Sequence, residues 1–157
     1  MTATTSSSAP AADREASTAS TDAESLFEQA ISRYQQGAAP EEVIDDFLRI
    51  TVQQPRLSAG WTCLAWLQLL LDQPHAALRS ARTAVRLNPQ DPQARINLSV
   101  AMLETGQKGV REHVELVQRV MVMAPELATE LTDSMADGLR RRPGWQALEK
   151  VRGWLQG

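Results

Sequence analysis

Residues 58–91, SAGWTCLAWLQLLLDQPHAALRSARTAVRLNPQD, decide the fold. Trp61, Leu64, Ala65 and Gln68 fall at helical spacing, Ala77, Ala81 and Ala84 resume it after a break at Pro74, and Pro89 closes the unit. The same landmarks recur 34 residues away on each side, so that Phe27, Trp61 and Arg95 correspond. Next come Ala30, Leu64 and Leu98, then Ile31, Ala65 and Ser99, then Tyr34, Gln68 and Met102. The second half of the unit aligns Val43, Ala77 and His113, then Phe47, Ala81 and Val117, then Ile50, Ala84 and Val120, with Pro55, Pro89 and Pro125 at the close. The third unit keeps this order only with two extra residues near Gly106-Gln107-Lys108-Gly109, a turn where insertion costs little. A fixed period of this length marks stacked copies of one supersecondary unit, none of which buries its apolar face alone.

The spacing predicts helices over 23–36, 40–53, 58–71, 74–87, 92–105, 110–123, 126–140 and 143–155. No segment alternates with the period of a strand, and the chain reads as all-α. Thr21 and Glu24 have the spacing of a capping box. Pro40, Pro74 and Pro92 suit first-turn positions, where a missing N–H does no harm, and Asp91 is placed to cap the helix that follows it.

A period of 34 with these landmarks resembles the tetratricopeptide repeat, a helix-turn-helix unit. The match is closest at Trp61, Leu64, Ala65, Ala77, Ala84 and Pro89; it departs at Gln68, where the family usually has Tyr, and at Ala81, where Phe is common. The resemblance implies a right-handed superhelical solenoid of antiparallel helix pairs spanning 21–157, with repeats at about 24–57, 58–91 and 92–127. Continuing the register through Leu131, Ser134, Met135, Gly138, Ala147, Val151 and Trp154 gives a degenerate fourth repeat over 128–157; the alternative is a pair of capping helices with no strict register. Residues 1–20, almost wholly Thr, Ser, Ala and Pro, read as a disordered leader that cannot bury enough surface to fold.

A net charge of −3 and a pI near 5.4 argue against nucleic acid as the main partner, because phosphate binding needs concentrated cationic surface. The single cysteine, Cys63, lies between Trp61 and Leu64 and reads as a small packing residue in a reducing compartment. No basic start precedes an apolar run, and no stretch of eighteen apolar residues exists to span a bilayer, so a cytoplasmic location is expected. Charge is sorted lengthwise: residues 23–50 carry six acids against Arg33 and Arg49, whereas 138–157 carry Arg140, Arg141, Arg142, Lys150 and Arg152 against Glu149.

In this family the first helix of each unit lines the concave surface. The helix after Ser58 is apolar on two sides, leaving Trp66, Leu69 and Leu70 in addition to its packing face, and the next repeat offers Ile96, Val100, Leu103 and Glu104 in equivalent positions. The first repeat is polar there, with Glu28, Gln35 and Gln36. The expected site is therefore an apolar furrow of Trp66, Leu69, Leu70, Ile96, Val100 and Leu103, edged by Glu28, Gln35, Gln36 and Glu104. So much apolar surface demands a cover, whether neighbouring helices, a partner's amphipathic segment or a second copy. The family variant that clamps an acidic C-terminal peptide uses cations and asparagines on these helices. Here Glu28, Ser32, Thr62, Gln93 and Asn97 stand in the groove, and only Asn97 fits, which disfavours that clamp.

Catalysis finds no support in the sequence. His75 and His113 lie in different repeats with no metal-ligand spacing, and the acids Glu41, Glu42, Asp45 and Asp46 suit the first turns of a helix. There is no glycine-rich phosphate loop, and neither cofactor nor metal is expected. The function expected is non-catalytic protein binding, by an adaptor or assembly factor that holds a partner segment. The alternative is a structural subunit that forms a homo-oligomer through its oppositely charged ends.

Overall fold

The computed structural model describes residues 24–157, and the expected leader and the Thr21 half of the capping box lie outside them. Among the described residues eight helices follow one another: α1 (24–35), α2 (Pro40–Gln53), α3 (Ser58–Leu70), α4 (Pro74–Leu87), α5 (Pro92–Glu104), α6 (Val110–Met123), α7 (Pro125–Arg141) and α8 (Gln146–Gln156). No strand occurs among the described residues. Proline opens α2, α4 and α5 as the sequence suggests, and the Asp91 carboxylate accepts a 3.0 Å hydrogen bond from the Gln93 amide at the start of α5. The last helix starts later than expected because Gly144 turns with φ +75° and Trp145 takes the N-cap.

The first three pairs stack as repeats. α3 packs on α2, α4 and α5, while α5 packs on α3, α4 and α6. Helix α3 is apolar all round because it divides two cores. Leu64 and Leu67 join Ala30, Val43, Phe47 and Ile50 on one side. Ala65, Trp66 and Leu69 join Ala77, Ala81, Ile96 and Val100 on the other. Phe27 meets Phe47 edge-on at 5.8 Å, tying α1 to α2.

Polar departures from the repeat pattern are satisfied inside. Gln68, standing where the family has tyrosine, is buried and accepts a 2.7 Å hydrogen bond from Ser80 of α4. Asn97 is fully buried and donates to the Thr62 carbonyl at 2.9 Å, joining α5 to α3. The prolines that close each unit have a partner as well. Trp61 Nε1 donates to the Pro55 carbonyl at 2.8 Å, and Arg95 Nε donates to the Pro89 carbonyl at 3.0 Å from the equivalent position. Arginine thus replaces tryptophan while keeping the N–H that this corner needs. Arg95 also reaches His113 Nδ1 at 2.7 Å; burial first, and that guanidinium second, hold the half-buried imidazole below its usual pKa.

The turn inside each repeat has a left-handed residue two places past the first helix: Gly37 (φ 102°), Asp72 (φ 56°) and Gly106 (φ 71°). The backbone N–H groups of Ala38, Gln73 and Gln107 donate to the carbonyls of Arg33, Gln68 and Met102, closing the same C-terminal motif three times. The third turn runs 105–109 where the second runs 71–73, which accounts for the two extra residues.

The stacking rule changes at α7. Four residues separate α2 from α3 and α4 from α5 (54–57 and 88–91), but only Ala124 separates α6 from α7. That short corner sends α7 across the face formed by the first helices. It is α8 that lies along α5 and α6, where a further first helix would stack. The last two helices therefore form a crossing pair out of register with the three repeats.

Replacing Trp61 with Phe keeps an aromatic side chain but removes the N–H that donates to the Pro55 carbonyl. Urea unfolding is expected to show a loss of about 1 kcal/mol.

Candidate functional site: the cleft beside α7

Most of the furrow expected from the sequence is closed. Trp66 is 7% exposed, and Leu69, Ile96 and Val100 are fully buried. Their cover comes from this chain's own C-terminal pair: Leu131, Met135, Trp145, Leu148 and Val151 share their core, with Leu139, Ala147 and Leu155 packed at its edge. Leu70 and Leu103 are half-buried against the same core. Each Leu fully buried contributes about 1.5–3 kcal/mol, so a solvent-open furrow loses to this closure. A clear correction follows: these four side chains are interior. The apolar stripe Leu131, Met135 and Leu139 on α7 was the sequence signal for it.

Close approach at the crossing needs Gly138. A Cβ there would lie 2.6 and 2.7 Å from the Trp66 ring atoms Cζ2 and Cη2 and 3.0 Å from Leu148 Cδ2. Trp145 packs on Trp66 from beyond, with ring centroids 5.5 Å apart.

A polar latch fixes the far end of α7. Trp66 Nε1 donates to the Tyr34 hydroxyl at 2.9 Å, and that hydroxyl donates to Asp137 Oδ2 at 2.8 Å. Arg141 Nε donates to the same carboxylate oxygen at 2.9 Å. The Arg141 guanidinium also stacks 3.8 Å over the Tyr34 ring and donates to the Tyr34 and Ala38 carbonyls at 2.7 and 2.8 Å. Arg142 does for α3 what Arg141 does for α1, donating to the Leu69 carbonyl at 2.8 Å. It also pairs with Glu104 at 3.1 Å and Asp72 at 3.4 Å, and Trp145 Nε1 donates to Glu104 as well. Glu104, expected at the edge of an open groove, is therefore an internal anchor.

Burial pushes the Tyr34 phenol well above its usual pKa, and its bond to Asp137 adds to the shift. Burial opposes ionisation of Asp137, but the hydrogen bonds from Tyr34, Arg140 and Arg141 outweigh it and hold the carboxyl below the usual carboxylate range.

What stays open is a cleft of about 690 Å³ between α7 and the first helices. Its floor is Ile31, Phe47, Cys63, Trp66 and Leu67; Gln35, Thr62, Gln93 and Asn97 form one wall, and α7 supplies Glu130, Asp133, Ser134, Asp137, Arg140 and Arg141 for the other. Of the residues singled out from sequence, Trp66 and Gln35 line this cleft. Glu28 and Gln36 are exposed on α1 outside it, whereas Leu103 and Glu104 border a second hollow of about 520 Å³ beside Trp145. Thr62, Gln93 and Asn97, recognised as groove positions, do line the cleft. The α7 wall was missed, because nothing in the repeat register announces a crossing helix. Burial, with Asp91 adding to it, pushes the Cys63 thiol up to about 12, so it stays protonated at neutral pH.

Among the described residues no three His, Cys, Asp or Glu side chains gather as a metal site, and no helix is long and apolar enough to cross a membrane. No protein-family model matches the chain, and no curated protein matches it in sequence. Solved structures do match in fold. The type III secretion translocator chaperone SycD of Yersinia enterocolitica is 19% identical at a TM-score of 0.59, covering 83% of this chain and 91% of that one. SycD in complex with a peptide of the translocator YopD matches at the same identity and TM-score over 82% and 91%. A type III secretion complex from Aeromonas hydrophila matches at 19% identity and a TM-score of 0.61 over 84% and 83%. At such identities the likeness establishes the tetratricopeptide-like all-helical fold.

Gly138→Leu is expected to lift α7 from Trp66, costing about 1–3 kcal/mol on denaturation and shifting tryptophan emission to the red. The latch also carries a pH signature. An unfolded aspartate titrates at about 3.9, so the contribution of Asp137 is complete above that value and is lost as pH falls through its lower folded value. Acid titration of stability should show this loss in the wild type and a smaller one in Asp137→Asn.

Proposed function

We propose that this chain is a non-catalytic protein-binding module, an adaptor or chaperone-like assembly factor, that holds a partner segment in the cleft beside α7. The carrying observation is that cleft: about 690 Å³ remains between α7 and the first helices, with an apolar floor and hydrogen-bonding walls, after the C-terminal pair has filled the rest of the face. The volume lies within the ordinary range for ligand sites, roughly 300–1,000 Å³. The bound segment is extended, because a helix with its side chains is about 10–12 Å across and α7 already takes the room a helix would need on this face. The fold-level likeness to SycD, solved with a peptide of the translocator YopD, supports the same class of function.

Head-to-tail self-assembly through charged ends has weaker support. Arg141 and Arg142, two of the three adjacent arginines at the basic end, are turned inward onto backbone carbonyls and internal acids. Their charge is spent within the molecule.

The double variant Gln35→Trp/Ser134→Trp narrows the cleft from both walls without touching the fully buried core. Affinity purification from the native cell, with mass spectrometry, should recover partners with the wild type that this variant loses while its circular dichroism is unchanged. A helical variant that keeps the same partners would overturn the proposal.

A further inference from the structure

The charge left unpaired in the cleft specifies its occupant further. Five charged side chains line it: Glu130, Asp133, Asp137, Arg140 and Arg141. Three of these satisfy one another, since Asp137 takes Arg140 at 2.9 Å on one oxygen and Arg141 at 2.9 Å on the other. Glu130 and Asp133 are different. They stand three positions apart on exposed turns of α7, and no described residue forms a hydrogen bond or ion pair with either. Residues so spaced are neighbours on a helix surface, where like charges repel. The wall opposite is neutral, with Gln35, Thr62 and Gln93, so among the described residues that wall supplies no cation to relieve them. On α1, Glu28 precedes Ile31 and Gln35 on the same helical stripe and adds to the negative potential at that end.

Resting on the cleft reading above, we infer that the occupant is an extended peptide whose apolar side chains sit on Ile31 and Cys63, the floor residues left partly exposed, and whose lysine or arginine sits against Glu130 and Asp133. Apolar contact with the floor supplies the affinity. The cation relieves two unpaired carboxylates and fixes the direction in which the peptide lies, because at the other end of the cleft two arginines, Arg140 and Arg141, outweigh the single carboxylate of Asp137. An acidic peptide meets repulsion at the same place, and a purely apolar one leaves the pair unanswered.

A random linear peptide library displayed on phage, panned against the intact chain at low salt, tests this directly. Glu130→Lys/Asp133→Lys serves as the parallel target; both positions are exposed, and circular dichroism checks that its fold is kept. Loss of binding to the Gln35→Trp/Ser134→Trp variant, whose cleft is narrowed, reports whether a selected peptide occupies the cleft. The expected outcome is apolar peptides bearing Lys or Arg that lose binding to the narrowed-cleft variant and bind the charge-reversed double variant about tenfold more weakly, with the latter gap closing at high salt. The charge-reversed variant should instead select Asp or Glu. Peptides that need the open cleft yet are neutral or acidic and bind the wild type and the charge-reversed variant equally overturn this inference and leave the cleft reading standing. Peptides that bind the narrowed-cleft variant as well as the wild type overturn the cleft reading, and the inference with it.

Discussion

Two adjacent arginines hold the last helices of this molecule against the first. Carbonyl groups at a helix C-terminus lack intrahelical donors and carry partial negative charge, so a guanidinium placed there gains both hydrogen bonds and a favourable dipole. Arg141 takes this role at the end of α1 and Arg142 at the end of α3, while Glu104 at the end of α5 receives Arg142 and Trp145. The three first helices point the same ends toward one edge, and α7 arrives there with its basic terminus. The position of α7 then decides everything else on that face: which apolar side chains are sealed, and which strip is left as a cleft.

Much of this architecture could be read from residues alone. A period of 34 anchored by Trp61, Leu64, Ala65 and Pro89 places seven helices to within a residue or two of their observed bounds, because amphipathic periodicity and proline punctuation are local properties. Even the substitutions that weaken the repeat pattern have physical equivalents. Arg95 supplies the N–H that Trp61 supplies, and Gln68 finds Ser80. A pattern scored by residue type counts these as mismatches, although the contacts they make are intact.

The site was less legible, and the reason is geometric. Helical spacing shows that Trp66, Leu69, Ile96 and Val100 share apolar stripes, but a stripe does not say what covers it. The cover depended on a one-residue corner at Ala124 and on the absence of a side chain at Gly138. Neither disturbs the helical spacing of apolar residues, which continues through Leu131 and Met135. Charge counting misled in a related way: Arg141 and Arg142 add to the formal balance of the C-terminal segment, yet their positive charge faces inward.

The bond from Tyr34 to Asp137 joins residues 103 positions apart. Stacked repeats ordinarily gain their stability from nearest neighbours and lose cooperativity as they lengthen, so that end units fray by themselves. Here the chain is closed into a loop by a handful of distant polar contacts, and the outermost hairpin is no longer an end. Melting α1 also releases α7, and with it the seal over the central tryptophan. Long-range contacts of this kind favour cooperative unfolding over fraying from the ends, and they raise the contact order that slows folding.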